Sequence, residues 1–568
     1  MIVGMMRAMT RPREKGTIRK EPGASLSVAL VCPTAYRVGM ANLGFQFLYN
    51  HLNSIPGFSA ERFFFPVSTG KTEPRAALVS EESGRGLSHF PVIAFSVPFE
   101  SDYPAIPGAL LAAGIPPLQA DRRPGDPIVL AGGVSVSMNP EPLARFLDLA
   151  FIGEMPEEKT KSPSGKNGLF EALAQAPAIS AAQARDRQEL LWNLKDIPGV
   201  YIPSAYEFRF GDDGLIKEIK PAPGFPERIT AVKRLSKNAR VPVSTLFSPD
   251  AEFGESLLIE TNRGCGRGCR FCAAGWIHLP VRHRRFDMFK KDAELALTDD
   301  RTIGLVGSDL ASHPELEESL SWIVNHGGRF SLSSIRPEGL TPKVIELLAR
   351  TGQKTATLAP ETATPRMKKV IGKEIPSERF YELVEKLVGA GIPNIRFYFM
   401  VGLPTETDED AQAVVDFVLQ SRKVFVEASR QKKRIGTIAI QLNPFIPKPW
   451  TPFQWAPMAH TRILQNRMAI IRKGLQNEPN LKVRVESVRQ ALYQAFLSRG
   501  DRRIARVILR VAEQQGRWSG AFKQEGIDPS FYAHRERSPH EIFPWDVTYH
   551  GIDKEKLRKL GERSLSLF

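Results

Sequence analysis

Between Gly264 and Trp276 the chain reads Gly-Cys-Gly-Arg-Gly-Cys-Arg-Phe-Cys-Ala-Ala-Gly-Trp, which sets Cys265, Cys269 and Cys272 at the spacing Cys-x3-Cys-x2-Cys. Thiolates are the soft ligands that hold iron–sulfur clusters. Gly264, Gly266 and Gly268 leave the backbone free to wrap such a cluster without Cβ clashes. Three ligands to a four-iron cluster leave one iron open for a substrate or a second cofactor. A zinc site or a set of buried thiols is the alternative. Zinc knuckles present two Cys-x2-Cys pairs or close histidines, however, and His278 and His283 are loosely placed for that role. The remaining cysteine, Cys32, follows an apolar strand and reads as packing; one extra thiol cannot hold a second cluster.

With 568 residues, 42% of them hydrophobic, the chain is long enough for several cores. No apolar run approaches a membrane span. Met1–Met9 is interrupted by Arg7 and followed by Arg11, Arg13 and Lys15, so no signal peptide is expected. With no disulfide framework among four cysteines, the expected compartment is reducing and cytoplasmic. The net charge of +15 is uneven: residues 1–24 hold six basic and two acidic side chains, and residues 456–568 hold 21 basic and 12 acidic. A basic terminal region fits a polyanion such as RNA, the alternative being a solvated helical surface.

Residues 1–25 read as a disordered basic leader. Residues 26–154 then alternate strand and helix: strands at Leu26–Val31, Phe63–Phe65, Val92–Val97, Ile128–Ala131 and Leu149–Ile152, and helices at Asn42–Leu52, Pro104–Ala113 and Pro140–Leu147. That order predicts a doubly wound, Rossmann-like α/β domain whose binding crevice lies at the carboxyl ends of its strands, where Gly132, Gly133, Val134 and Ser135 stand. Residues 155–250 read as a connector with a hairpin at Gly211–Gly214. Residues 251–455 repeat strand and helix, with strands at Leu257–Glu260, Ile303–Val306, Phe330–Ser334, Thr355–Leu358, Ile395–Met400 and Thr437–Leu442. Residues 456–568 carry apolar residues at helical spacing, from Val485 to Phe496 and from Ile504 to Val511, with a break at Ser498–Asp501.

The cysteine spacing, with Phe271 before the last cysteine, resembles the signature of the radical S-adenosylmethionine (radical SAM) superfamily. The resemblance implies a [4Fe-4S] cluster on Cys265, Cys269 and Cys272, and S-adenosylmethionine (SAM) on its open iron. It also implies a partial (β/α)6 barrel over 251–455 and an electron donor such as flavodoxin or ferredoxin. It assigns SAM contacts to Phe271 in the loop, to Arg336 toward the methionine carboxylate, to Glu361 of Pro360-Glu361-Thr362-Ala363 toward the ribose, and to Gly402 beneath the adenine. An internal Arg336–Glu361 salt bridge is the competing reading for that pair. The family's Gly-Gly-Glu segment is missing in its common form, and Ser308-Asp309 receives no role. A Rossmann-like domain ahead of the barrel resembles the cobalamin-binding domain of B12-type members, with the Gly132–Ser135 loop as the cobalamin contact, although Asp-x-His-x-x-Gly is absent. Residues 443–455 read as an apolar lid or as packing between domains. The whole implies an enzyme that reductively cleaves SAM, either a cobalamin-dependent methyltransferase or another radical modification enzyme. The rival reading is an iron–sulfur RNA-binding or regulatory protein without SAM turnover.

Overall fold

The computed structural model describes residues 14–20, 26–65, 78–155, 168–175, 187–235, 242–332, 334–432 and 434–566. Most of the leader and the polar stretch 157–166 therefore lie outside the described residues, as does part of the Ala-rich segment 172–184. The described piece of the leader is anchored: Glu14 pairs with the buried Arg62 guanidinium, and Lys15 N donates to Phe247 O at 2.8 Å.

The amino-terminal domain is built on one sheet of six strands, β1 (Leu26–Ala35), β2 (Phe58–Phe65), β3 (Val92–Ser96), β4 (Ile128–Gly132), β5 (Leu149–Phe151) and β6 (Val200–Tyr201). Their order is β2-β1-β3-β4-β5-β6, parallel throughout except for β6. Near-continuous apolar runs such as Leu26–Cys32 suit strands covered on both faces. The chain reverses direction around β1, which puts the crevice at the carboxyl ends of β1 and β3. Asn42 caps the helix Leu43–Ser54 by accepting from Phe45 N at 3.0 Å. The helix expected at Pro140–Leu147 is not formed. Pro140 and Pro142 withhold two amide hydrogens, and the segment closes only a 3-10 turn at Glu141–Leu143, while a short helix occupies Val134–Met138 instead.

A hairpin of β7 (Tyr206–Phe210) and β8 (Ile216–Pro221) follows, then the short β9 (Ile229–Thr230). The barrel segment contributes β10 (Leu257–Arg263), β11 (Arg282–His283), β12 (Thr302–Gly307), β13 (Arg329–Leu332), β14 (Thr355–Glu361), β15 (Asn394–Val401), β16 (Ile438–Pro444) and β17 (Leu481–Val485). The six expected barrel strands all form, in two half-sheets ordered β11-β10-β12-β13 and β14-β15-β16-β17. Among the described residues no ladder joins β13 to β14, so the half-barrels meet at a seam. β17 is an extra parallel strand on β16, where the sequence suggested helix as far back as Val485. The side of β14–β16 that faces the surrounding helices is apolar, with Leu358, Phe397, Phe399, Ile440 and Leu442 buried.

The carboxyl-terminal region stitches the two bodies together. Within the helix Val488–Arg499, Phe496 and Leu497 join the core of the amino-terminal domain, whereas Ala491 and Ala495 join the barrel core. β18 (Thr548–Tyr549) pairs in parallel with β9. The region's arginines are largely consumed internally. Arg502 binds Glu141 at 2.7 Å and lies 4.0 Å from the Phe208 ring centre; Arg503 binds Asp501 at 2.7 Å; Arg537 binds Glu541 at 3.0 Å; the fully buried Arg499 donates to the carbonyls of Tyr532 and Ala456. Part of the region's positive charge therefore serves packing. Among the described residues no helix is long and apolar enough to cross a membrane.

Candidate active site

β10 runs directly into the cysteine loop. Gly264 turns the chain at φ +83°, and a Cβ there would come within 2.5 Å of His278 O, so the loop folds back on its own continuation at a position only glycine accepts. The indole of Trp276 pins the loop by donating to Cys269 O at 3.0 Å. Cys269 is buried, whereas Cys265 and Cys272 are half-buried, and the three thiols lie near enough to perturb one another electrostatically. Among the described residues no three His, Cys, Asp or Glu side chains converge as a single-ion site. A zinc ion would demand such convergence, with sulfurs about 3.8 Å apart by tetrahedral geometry. A four-iron cluster takes each thiolate on a different iron and does not require it.

Two charged groups stand over the triad. Arg336, just past β13, places Nη1 3.8 Å from Cys269 Sγ; its Nη2 donates to Glu338 at 3.2 Å, and its Nε is buried without a partner. Asp309, just past β12, accepts from Arg267 Nε at 2.9 Å and places Oδ2 3.8 Å from Cys265 Sγ, while its Oδ1 is buried and unpartnered. The competing Arg336–Glu361 salt bridge does not form, because Glu361 is held by Lys373 Nζ at 2.9 Å and Arg336 by Glu338. Glu361 sits at φ +68°, a left-handed conformation uncommon for a non-glycine residue and concentrated at functional sites.

Phe271 and Glu361 share the wall of a cavity of about 780 Å³ along the seam of the half-barrels, together with Ser334, Arg396, Tyr398 and Met400. Gly402 lies past the end of β15 at φ +86°, with its N–H given to Glu406 Oε2 at 2.6 Å. That positive φ favours glycine, and a Cβ there would also press on the side chains of Leu464 and Ala459. Of residues 443–455, Asn443 to Ile446 and Lys448 line the cavity, while Trp450 and Phe453 are buried; the segment is both wall and packing.

A second cavity, of about 580 Å³, occupies the crevice of the amino-terminal sheet and includes Gly132, Gly133 and Val134 in its lining. Ser135 is turned away, donating its hydroxyl to Val97 O at 2.8 Å. The floor is apolar, with Leu48, Leu130 and Phe151. Two imidazoles stand in the wall and are held neutral by burial: His278, pushed down to about 4, and His550, pushed down to about 3. Glu154 in the same wall gathers Arg282 at 2.8 Å and Arg263 at 3.4 Å. Asp309, Arg396 and His278 carry the features that sequence reading left without a role. Arg396 had a signal, since β15 alternates polar and apolar residues with period two, and Asp309 had one in its place just after the second barrel strand; His278 had none.

Two family models match this chain: radical SAM proteins, N-terminal, over residues 44–203, and the radical SAM superfamily over residues 259–418. An uncharacterized protein of Methanocaldococcus jannaschii is 24% identical over 486 residues, covering 85% of this chain and 90% of its own length. The ribosomal protein uS12 methylthiotransferase RimO of Thermosipho africanus is 27% identical over 246 residues, 39% of this chain and 56% of that protein, so this chain spans little more than half of it. Among solved structures, the radical SAM methyltransferase TsrM from Kitasatospora setae, with cobalamin and [4Fe-4S] cluster bound, aligns with a TM-score of 0.46 at 15% identity, covering 95% of this chain and 99% of that one.

Proposed function

Because the chain belongs to the radical SAM superfamily and is an enzyme of that class, we propose that Cys265, Cys269 and Cys272 hold a [4Fe-4S] cluster and that Asp309 and Arg336 seat the amino-acid end of SAM on its open iron. The supporting observation is charge complementarity at the triad. The methionine moiety is a zwitterion, and the two groups beside the thiols are one carboxylate with a buried free oxygen and one guanidinium with a buried free N–H. A guanidinium suits a carboxylate in its fork. Asp309 Oδ1 accepts from the ammonium in the place where the family's Gly-Gly-Glu is missing. Glu361, steadied by Lys373, accepts from the ribose hydroxyls, and Phe271 closes the cavity beside the cluster. When bound, the cluster and SAM supply one-electron cleavage of a carbon–sulfur bond and hydrogen abstraction. The protein's part is to orient SAM and to wall off water with the aromatic segment 443–455.

Methyl transfer with cobalamin is the reaction class we assign. The amino-terminal crevice fits a corrinoid by its bare backbone at Gly132 and Gly133, its apolar floor and its neutral imidazoles. A corrinoid supplies a methyl carrier when bound. Methylthiotransfer with an auxiliary cluster is disfavoured because Cys32, the single further cysteine, is buried on β1 with its thiol pushed up to about 12 by burial and by the charge of Asp102. The same fact disfavours a purely structural cluster, which needs a fourth thiolate.

The test is anaerobic reconstitution followed by SAM, dithionite and hydroxocobalamin. Deoxyadenosine should form, should vanish in Cys269→Ala, and should fall together with SAM affinity in Asp309→Asn while the cluster absorbance persists. Corrinoid should be retained by the wild type and lost in Gly132→Leu, which fills the crevice at a position where a Cβ meets nothing closer than 3.6 Å. Full SAM affinity in Asp309→Asn would overturn the assignment of the ammonium site.

A further inference from the structure

Three charged side chains line the cavity beside the thiols: Glu361, paired with Lys373 at 2.9 Å; Lys448, paired with Glu100 at 2.6 Å; and Arg396. Arg396 has no ion-pair or hydrogen-bond partner among the described residues, and its side chain is exposed although its backbone lies mid-sheet between β14 and β16. The ladder register extends this observation. Arg396 is level with Ala439 and Ala439 with Lys482, while Tyr398 is level with Gln441 and Gln441 with Arg484. Residues in register on parallel strands share a face, so Arg396, Tyr398, Lys482 and Arg484 all lie on the side away from the packing helices. Lys482 and Arg484 are likewise exposed and without carboxylate partners among the described residues. Glu486 stands at the end of β17 and accepts from Gln441 at 3.2 Å.

Charged side chains on an edge strand discourage edge-to-edge pairing, which accounts for Lys482 and Arg484 on β17. That account does not reach Arg396, which is interior to the sheet and opens onto a cavity. An unpaired guanidinium on a cavity wall is available to an anion from outside the protein. A small anion held in the cavity would engage Arg396 alone. The row continues about 10 Å across two strand spacings and about 7 Å along β17, toward the open edge of the sheet. An occupant that uses all three cations carries repeated negative charge. The aromatic Tyr398, beside Arg396 in the cavity, offers a face on which a base stacks.

We propose that the inner face of the second half-barrel binds a single-stranded nucleic acid, its phosphodiesters on Arg396, Lys482 and Arg484 and one nucleotide in the cavity against Tyr398. The proposal rests on the radical SAM reading for the chemistry done there, but the binding itself needs neither SAM nor electrons. It places the polyanion site on the inner face of β15 and β17, at cations left free, rather than at Arg502, Arg503 and Arg537, which are spent on Glu141, Asp501 and Glu541.

The experiment measures fluorescence anisotropy of labelled 12-nucleotide RNA and DNA strands with the reconstituted full chain at several salt concentrations. The variants are the triple Arg396→Gln/Lys482→Gln/Arg484→Gln and, as a matched charge control, Lys556→Gln/Lys559→Gln/Arg563→Gln at exposed positions of the helix Lys554–Leu565. The triple variant should lose about tenfold or more in affinity. Its log K against log salt slope should flatten by about 2, from ~0.7 per lost phosphate contact on single strands. Its cluster absorbance should match the wild type, and binding is read without SAM, which separates this result from any failure of the SAM assignment. The control should stay close to the wild type. A preference between the RNA and DNA strands would identify the source of the phosphodiester. No binding of either strand, binding that the triple variant leaves unchanged, or displacement by AMP as effective as by unlabelled strand would overturn the proposal.

Discussion

Asp102 gives the sharpest physical test of the inter-domain seam. It lies in the turn after β3, with Oδ2 buried and unpartnered. Burial first, and then the charge of neighbouring Glu100, raise its pKa from 3.8 to about 7, against a small opposing contribution from the Phe99 backbone. Glu100 itself is engaged by Lys448 and Gln494, and Cys32 and Tyr103 are the other titratable groups that feel Asp102. A carboxylate raised in the folded state contributes stability that is complete below its unfolded pKa and is lost as pH rises through the folded one. The window here runs from 3.8 to about 7. About three units correspond to roughly 4 kcal/mol in all, of which about 2 kcal/mol falls between pH 5.5 and 8.5 by linkage. Asp102→Asn removes the titration. Its stability advantage over the wild type should therefore grow by about 2 kcal/mol from pH 5.5 to 8.5, read by calorimetry as several degrees in the transition containing the amino-terminal domain. In a Glu100→Gln background the growth should shrink. An advantage equal at both pH values would refute the reasoning, since it would mean that Asp102 is not the group titrating in that range.

Arg502→Met should cost about 3–5 kcal/mol, because it leaves Glu141 fully buried with the Tyr201 hydroxyl as its side-chain partner; adding Glu141→Gln should restore most of the loss in urea titrations. Gly133→Ala should destabilise by more than Gly125→Ala, although both glycines have positive φ. Only at Gly133 would the Cβ come within 2.5 Å of Val97 O, whereas at Gly125 it meets nothing within 4 Å. Equal losses for the two, compared by thermal melts, would show that the tight approach of β3 and β4 is relaxed at little cost.

The parts of this fold legible from sequence are those in which local pattern and tertiary role agree. The Asn42 cap, the Gly211–Gly214 hairpin and all six barrel strands follow from residue chemistry a few positions apart. The cysteine loop is legible because its ligands are contiguous. What escaped depends on distant partners. Asp309 gains meaning only when β12 delivers it to Cys265, forty-four residues away in sequence. Lys373 reaches back to Glu361 and so removes the salt bridge expected with Arg336. The carboxyl-terminal arginines looked like a surface because a charge count does not show which cations fold against which carboxylates. β17 alternates apolar residues with cations at the period of a strand, and was hidden because Val485, three positions before Val488, also continues the apolar spacing of the helix that follows.

The stitching of the carboxyl-terminal region into both cores has a consequence for how the molecule comes into being. Phe496, Ile504, Val507 and Val547 belong to the same apolar cluster as Val28 and Phe63, and β18 pairs with a strand more than three hundred residues earlier. The amino-terminal domain is thus finished by residues far later in the chain. Until they arrive it presents an incomplete apolar face and the buried acid Glu141 without its arginine. Contacts of such sequence separation slow folding and leave intermediates exposed to aggregation. The walls of both cavities depend on the carboxyl-terminal region directly, since Gln494 lines one and His550 the other.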